Sequence, residues 1–145
     1  PGKDFLLGFA GDDIIRGGKG RDILAGGTGA NTLTGGKASD TFGFAELEAA
    51  NLVDHVVDYE EGRDQIVLGG PDFDVLRYGP DGSLRGSMFR IGKNAKDGND
   101  HVIYHENSGT LYFDPDGEGG LNKLKVAIFD NKPDLSHHDF LMFVT

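Results

Sequence analysis

Between Gly8 and Gly43 nine residues repeat four times, as GFAGDDIIR, GGKGRDILA, GGTGANTLT and GGKASDTFG, and the opening PGKDFLL is the tail of a fifth copy. The frame is G-G-x-G-x-D-x-U-x, where U is a large apolar residue: Leu6, Ile15, Leu24, Leu33 and Phe42. Few architectures accept so much glycine in a fixed register. Six glycine-rich residues can form a turn with converging carbonyls, because Gly takes positive φ at little steric cost. Three residues then form a short strand with U pointing inward. Each copy is half a coil, and two nine-residue copies complete an 18-residue turn. Loops two copies apart stack along one edge, and their aspartates meet. Clustered carboxylates repel unless a cation lies between them. Ca²⁺ suits such a place, because it is a hard cation that takes six to eight carbonyl or carboxylate oxygens in a forgiving geometry. A flexible linker would not hold Asp and an aliphatic residue in register. A phosphate-binding loop is excluded as well: the nearest approach to Walker A, ending at Lys37, has Asn31 in place of Gly and Ala38 in place of Ser or Thr.

The nonapeptide resembles that of the calcium-binding RTX proteins, at the repeats and more loosely on to the C-terminus. The resemblance implies an all-β chain, with a parallel β-roll over residues 1–45 and an antiparallel, sandwich-like β cap over 46–145. It also implies ligands, loop by loop. One Ca²⁺ falls between the loops ending at Asp4 and Asp22, with carbonyls around Gly2, Gly18 and Gly20. A second falls between those ending at Asp13 and Asn31, with carbonyls around Gly11, Gly27 and Gly29. A third falls between those ending at Asp22 and Asp40, with backbone from Gly36 and Ala38. Two departures from the frame matter. Asn31 keeps an oxygen but loses a charge, which predicts the weakest of the three sites, and Ala38 replaces a glycine, which predicts strain in the last loop.

Composition bounds the rest. A chain of 145 residues makes one domain or two small ones. Its 24 glycines stand far above the average of about 7%. Net charge is −10, which argues against nucleic acid as a partner. There is no cysteine, so an exported protein of this kind must be held by something other than disulfides, and metal is the obvious substitute. No signal peptide or transmembrane segment is evident. The start in mid-repeat predicts that the protein continues upstream. Residues 1–45 balance five basic side chains (Lys3, Arg16, Lys19, Arg21, Lys37) against five acidic ones, which leaves the entire net charge on 46–145. A calcium-loaded roll is therefore net positive. Odd copies should expose Phe5, Leu7, Ile23 and Ala25, an apolar face that needs a cover, and even copies Ile14, Arg16, Thr32 and Thr34.

Downstream, residues 45–51 read as a short helix. DHVVDYEEGRDQIVL, residues 54–68, reads as strand, turn and strand. It is similar to a segment that follows the roll in serralysin-type and other type I secreted RTX proteins. By that similarity Asp58 and Asp64 close the calcium site at the end of the roll; the alternative is that they cap a hairpin. Strands are expected at 75–78 and 84–91 around Gly79-Pro80-Asp81-Gly82, and at 101–105 and 110–114 around Asn107-Ser108-Gly109. Leu124, Val126 and Ile128 alternate with Lys123, Lys125 and Ala127, one face buried and one wet. A last strand is expected over 140–144.

No catalytic set identifies itself. His101 and His105 have a spacing that suits zinc only on a helix, and the alternation there is that of a strand. Asp114, Asp116 and Glu118 resemble half a calcium loop, but Gly comes too early for an EF-hand. His137 and His138 read as surface. The resemblance implies a non-enzymatic, secreted module that stays unfolded inside the cell, folds in millimolar Ca²⁺ outside, and meets a type I secretion apparatus through its C-terminus, residues 139–144. Two other readings stand beside it. RTX modules of mannuronan epimerases share this plan and some bind anionic polysaccharide, for which Arg16, Lys19, Arg21 and Lys37 are suitable, and a serralysin-like metalloprotease carries such a tail.

Overall fold

The structure is a computed structural model and describes residues 2–45, 47, 52–118 and 123–142. Its strands are β1 (Phe5–Leu7), β2 (Ile14–Lys19), β3 (Ile23–Ala25), β4 (Thr32–Lys37), β5 (Thr41–Phe44), β6 (Asp54–Val56), β7 (Gln65–Leu68), β8 (Phe89–Ile91), β9 (Val102–His105), β10 (Thr110–Phe113) and β11 (Leu124–Phe129). They form two sheets, one in the order β1-β3-β5-β7 and one in the order β2-β4-β6-β11-β10-β9-β8.

The chain alternates between the sheets because each glycine-rich turn reverses it after a three-residue strand. Parallel pairing then puts the apolar positions in register: Leu6 beside Leu24, Leu24 beside Phe42, and Phe42 beside Ile66 in the first sheet. Ile15, Leu33, Val56 and Phe129 do the same in the second. From Leu24 onward these side chains are fully buried. Each contributes roughly 1.5–3 kcal/mol by leaving water.

The segment 54–68 does not form a hairpin. Its strands enter different sheets, β6 beside β4 and β7 beside β5, and make one more coil of the roll. From β6 the second sheet runs without a break into the C-terminal strands, through the parallel pair β6–β11 and the antiparallel pairs β11–β10 and β10–β9. Expected strand 84–91 is only partly extended: Gly86–Met88 is a 3-10 turn, β8 follows it, and Tyr78 meets Leu84 in a single bridge. β11 departs from simple alternation because Leu111 pairs Ala127 while Tyr112 pairs Lys125. Val126 is the extra residue of a bulge, so Val126 and Ala127 are both buried while Leu124 is exposed. Most of the expected helix 45–51, and the end of the expected strand 140–144, lie outside the described residues; Phe140 and Leu141 bridge Ile66 and Ser83.

Tyr59 ties the last coil to the C-terminal turn. Its buried hydroxyl lies 2.9 Å from the Asp64 carbonyl oxygen and 2.8 Å from Asp139 Oδ1, which share its one proton. Burial, followed by the Asp139 charge, pushes the phenol well up. Asp139 Oδ2 accepts the Ser136 N–H (2.8 Å), fixing the 3-10 turn His137–Asp139. Tyr59→Phe should leave two buried acceptors unpaired and cost about 1–3 kcal/mol, read as a lower denaturation midpoint in saturating calcium with little change in spectrum.

Ala38 bears out the expected strain, with φ at 86°. A non-glycine residue there costs roughly 1–2 kcal/mol. Ala38→Gly should relieve it, less the extra entropy glycine has in the unfolded chain, and stabilise the folded protein by about 1 kcal/mol in thermal melts.

Candidate metal centre

Turns 17–22, 35–40 and 57–64 lead from the second sheet to the first and share one edge with the segment before β1. Turns 8–13 and 26–31 share the other with Asp54, the first residue of β6. Along the first edge the sixth-position residues form a ladder: the Asp4 N–H donates to Asp22 Oδ1 (2.9 Å), the Asp22 N–H to Asp40 Oδ1 (2.9 Å) and the Asp40 N–H to Asp64 Oδ1 (3.0 Å). Along the second edge the Asp13 N–H donates to Asn31 Oδ1 (2.8 Å) and the Asn31 N–H to Asp54 Oδ1 (3.0 Å). Asp22, Asn31 and Asp40 are only 1% exposed.

The second carboxylate oxygens carry the chemistry. Asp13 Oδ2, Asp22 Oδ2 and Asp40 Oδ2 are buried without a hydrogen-bond partner. A buried, ionised oxygen left unpaired costs several kcal/mol, so the two stacked on the first edge, Asp22 and Asp40, and the one on the second, Asp13, call for cations. Each sits where only glycine leaves room: a Cβ added to Gly8, Gly17 or Gly35 would lie 2.6 Å from the Oδ2 of the same repeat. Neighbouring coils also approach closely at their carbonyls. A Cβ on Gly20 would fall on the Gly2 carbonyl oxygen, one on Gly29 on that of Gly11, and one on Gly36 on that of Gly18. The Phe9 carbonyl meets Gly27 in the same way, a position the sequence reading had not selected. Burial, opposed by the hydrogen bond from Asp22 and assisted by the charges of Asp64, Asp22 and Asp58, pushes the Asp40 carboxyl up. Burial also raises Asp64, against hydrogen bonds from the Asp40 and Glu60 N–H groups. A divalent cation would reverse both shifts.

The donor set fits calcium. Among the described residues no three His, Cys, Asp or Glu side chains gather to hold a metal. Each site would rest on two carboxylates, or on one carboxylate and the Asn31 amide, together with backbone carbonyls, hard oxygens at the spacing a coil provides. Asp4, Asp22 and Asp40 with Gly2, Gly18, Gly20 and Gly36 lie along the first edge, and Asp13 with Gly11, Gly27 and Gly29 along the second.

Asp64 extends the first ladder, accepting the Asp40 N–H through Oδ1 and the Glu60 N–H through Oδ2 (2.9 Å). Asp58 spends both oxygens on backbone, Oδ1 on the Gly35 N–H (2.8 Å) and Oδ2 on the Gly36 N–H (2.9 Å), and so anchors the 35–40 turn. Asp54 is the residue the sequence reading missed. Its signal was present: Asp54-His55-Val56 and Asp64-Gln65-Ile66 both repeat D-x-U without the preceding glycines. Away from the roll, His101 Nδ1 is bonded to the Asp114 carbonyl (2.7 Å), and Asp114 Oδ1 accepts the Gly117 N–H (3.1 Å).

Comparison with known proteins agrees with this geometry. Residues 1–24 and 16–42 match the model of the RTX calcium-binding nonapeptide repeat. No curated protein matches the chain significantly. Among solved structures the chain is similar to the AlgE6R3 subunit of the Azotobacter vinelandii mannuronan C5-epimerase, at 21% identity and a TM-score of 0.52, over 97% of this chain and 78% of that one. The likeness extends the shared fold past the repeats to nearly the whole chain.

Proposed function

We propose that this chain, whose residues 1–42 are RTX calcium-binding nonapeptide repeats, is a non-catalytic module that folds as calcium fills the roll, and that it serves a larger exported protein. The observation that carries the reading is the burial of unpartnered carboxylate oxygens on both edges of the roll, Asp22 and Asp40 on the first and Asp13 on the second. Sites with two carboxylates and several carbonyls have the weak affinities of extracellular calcium modules, on the order of 10⁻⁴ to 10⁻³ M. Calcium well below that inside a cell leaves the carboxylates repelling one another; millimolar calcium outside binds only the folded roll and stabilises it. The type I apparatus would then receive an unfolded chain, led by its C-terminus. Titration calorimetry with calcium tests the reading, with dissociation constants near millimolar expected and micromolar or absent binding against it.

A second reading has its own support. All five basic residues of the repeat segment lie toward the first edge: Lys3 before β1, Arg16 at the end of β2's extended stretch, Lys19 and Arg21 in one turn, and Lys37 beside Lys19 in register. All are exposed. A polyuronate chain laid along that edge would meet repeated cations, and an epimerase subunit is among the structures this fold resembles. Affinity electrophoresis in alginate with calcium tests it: retardation of the wild-type chain, lost on Lys19→Glu with Lys37→Glu, is expected if this reading holds.

A further inference from the structure

Asn31 breaks the pattern of the roll in one atom. At Asp13, Asp22 and Asp40 the atom held against the first glycine of the repeat is the unpartnered Oδ2. At Asn31 the atom held against Gly26 is Nδ2. It donates to Asp54 Oδ1 at 2.8 Å, while Asn31 Oδ1 accepts the Asp13 N–H and the Asn31 N–H donates to the same Asp54 oxygen. The network sets the orientation of the amide. A flip would turn its NH₂ on the Asp13 N–H and its oxygen on the Asp54 carboxylate, two repulsions in place of two bonds.

We infer that the rung between Asn31 and Asp54 is a metal-free rung, in which the Asn31 side-chain NH₂ stands where the other rungs place a calcium-facing oxygen. An aspartate at that position would set a second carboxylate against Asp54 and require a cation; the amide supplies a donor and removes the charge. Asp54 opens β6, which pairs with β4 of the repeats and β11 of the C-terminal strands. The junction between the roll and the rest of the second sheet is therefore joined by hydrogen bonds that do not depend on calcium, and the second edge carries fewer ions than the first.

The inference rests on calcium binding by the roll, and the test separates the two. Calcium per chain is counted by native mass spectrometry for the wild-type protein, Asn31→Asp, Asp54→Asn and the double variant Asn31→Asp with Asp54→Asn. Asn31→Asp should bind one more ion than wild type, because its new carboxylate faces Asp54 and needs a cation between them. Asp54→Asn alone should leave the wild-type count unchanged, and in the double variant, which keeps one carboxylate and one amide as the Asp13–Asn31 rung does, the ion gained should need more calcium than in Asn31→Asp alone. An unchanged count in Asn31→Asp, or the loss of an ion in Asp54→Asn alone, overturns the metal-free rung while leaving calcium binding intact. Should Asn31→Asp fail to fold, the count in Asp54→Asn decides. A wild-type chain that binds no calcium overturns the module reading and this inference together.

Discussion

In chelator the repeat segment should show the circular dichroism of disordered chain, and millimolar Ca²⁺ should restore its β signal where the same Mg²⁺ does not. The strands of the roll are three to six residues long. Fixing each residue costs about 1–2 kcal/mol in backbone entropy, and more for glycine. Apolar burial recovers part of this, but the buried, unpartnered oxygens of Asp13, Asp22 and Asp40 oppose folding. Calcium removes that opposition and binds only the folded state, adding about 0.4–1.4 kcal/mol per site at millimolar Ca²⁺ for a Kd of about 10⁻³ to 10⁻⁴ M. Several such sites together add a sizeable part of the stability of an ordinary domain, about 5–15 kcal/mol. Magnesium demands a tight octahedron and keeps its water, so carbonyls spaced by a coil serve it poorly. A spectrum identical with and without calcium would count against the cation argument as a whole.

The largest effect of one substitution is expected at Asp22. Its Oδ1 accepts the Asp4 N–H, its own N–H donates to Asp40 Oδ1, and its Oδ2 is buried and unpartnered, so it stands between two stacked turns. Asp22→Ala removes a carboxylate from two neighbouring sites. Asp13→Ala removes one from the single site it shares with a neutral Asn31. If each lost ligand weakens a site about tenfold, which is about 1.4 kcal/mol, Asp22→Ala should raise the calcium midpoint of folding clearly more than Asp13→Ala does. Asp40→Ala should resemble Asp22→Ala, because Asp40 lies between Asp22 and Asp64 in the same ladder. Equal midpoints for Asp22→Ala and Asp13→Ala would show that the aspartates do not act as shared ligands of stacked sites.

The roll was legible in the sequence because its order is local and periodic. A glycine turn of six residues, an aspartate and an inward aliphatic residue determine one half-coil, and repetition determines the next. That is why the 18-residue stacking of Leu6 on Leu24 and of Ile15 on Leu33 follows from the frame alone. Expected positive φ at a non-glycine Ala38 followed from the same rule. What the tertiary structure decided lies where the period ends. Asp54 and Asp64 continue the two ladders across connections of 23 and 24 residues in place of 18, and no local signal says which strand a longer loop will reach. The bulge at Val126 likewise depends on the partner strand β10, since the alternation of β11 by itself predicted a buried Leu124. Asn31 shows the division most plainly. The sequence by itself determined that a charge was missing there, because that is a property of one residue. Which atom of the amide faces the next coil was decided only in the fold, because it depends on the Asp13 N–H below, Asp54 above, and the two hydrogen bonds a flip would lose.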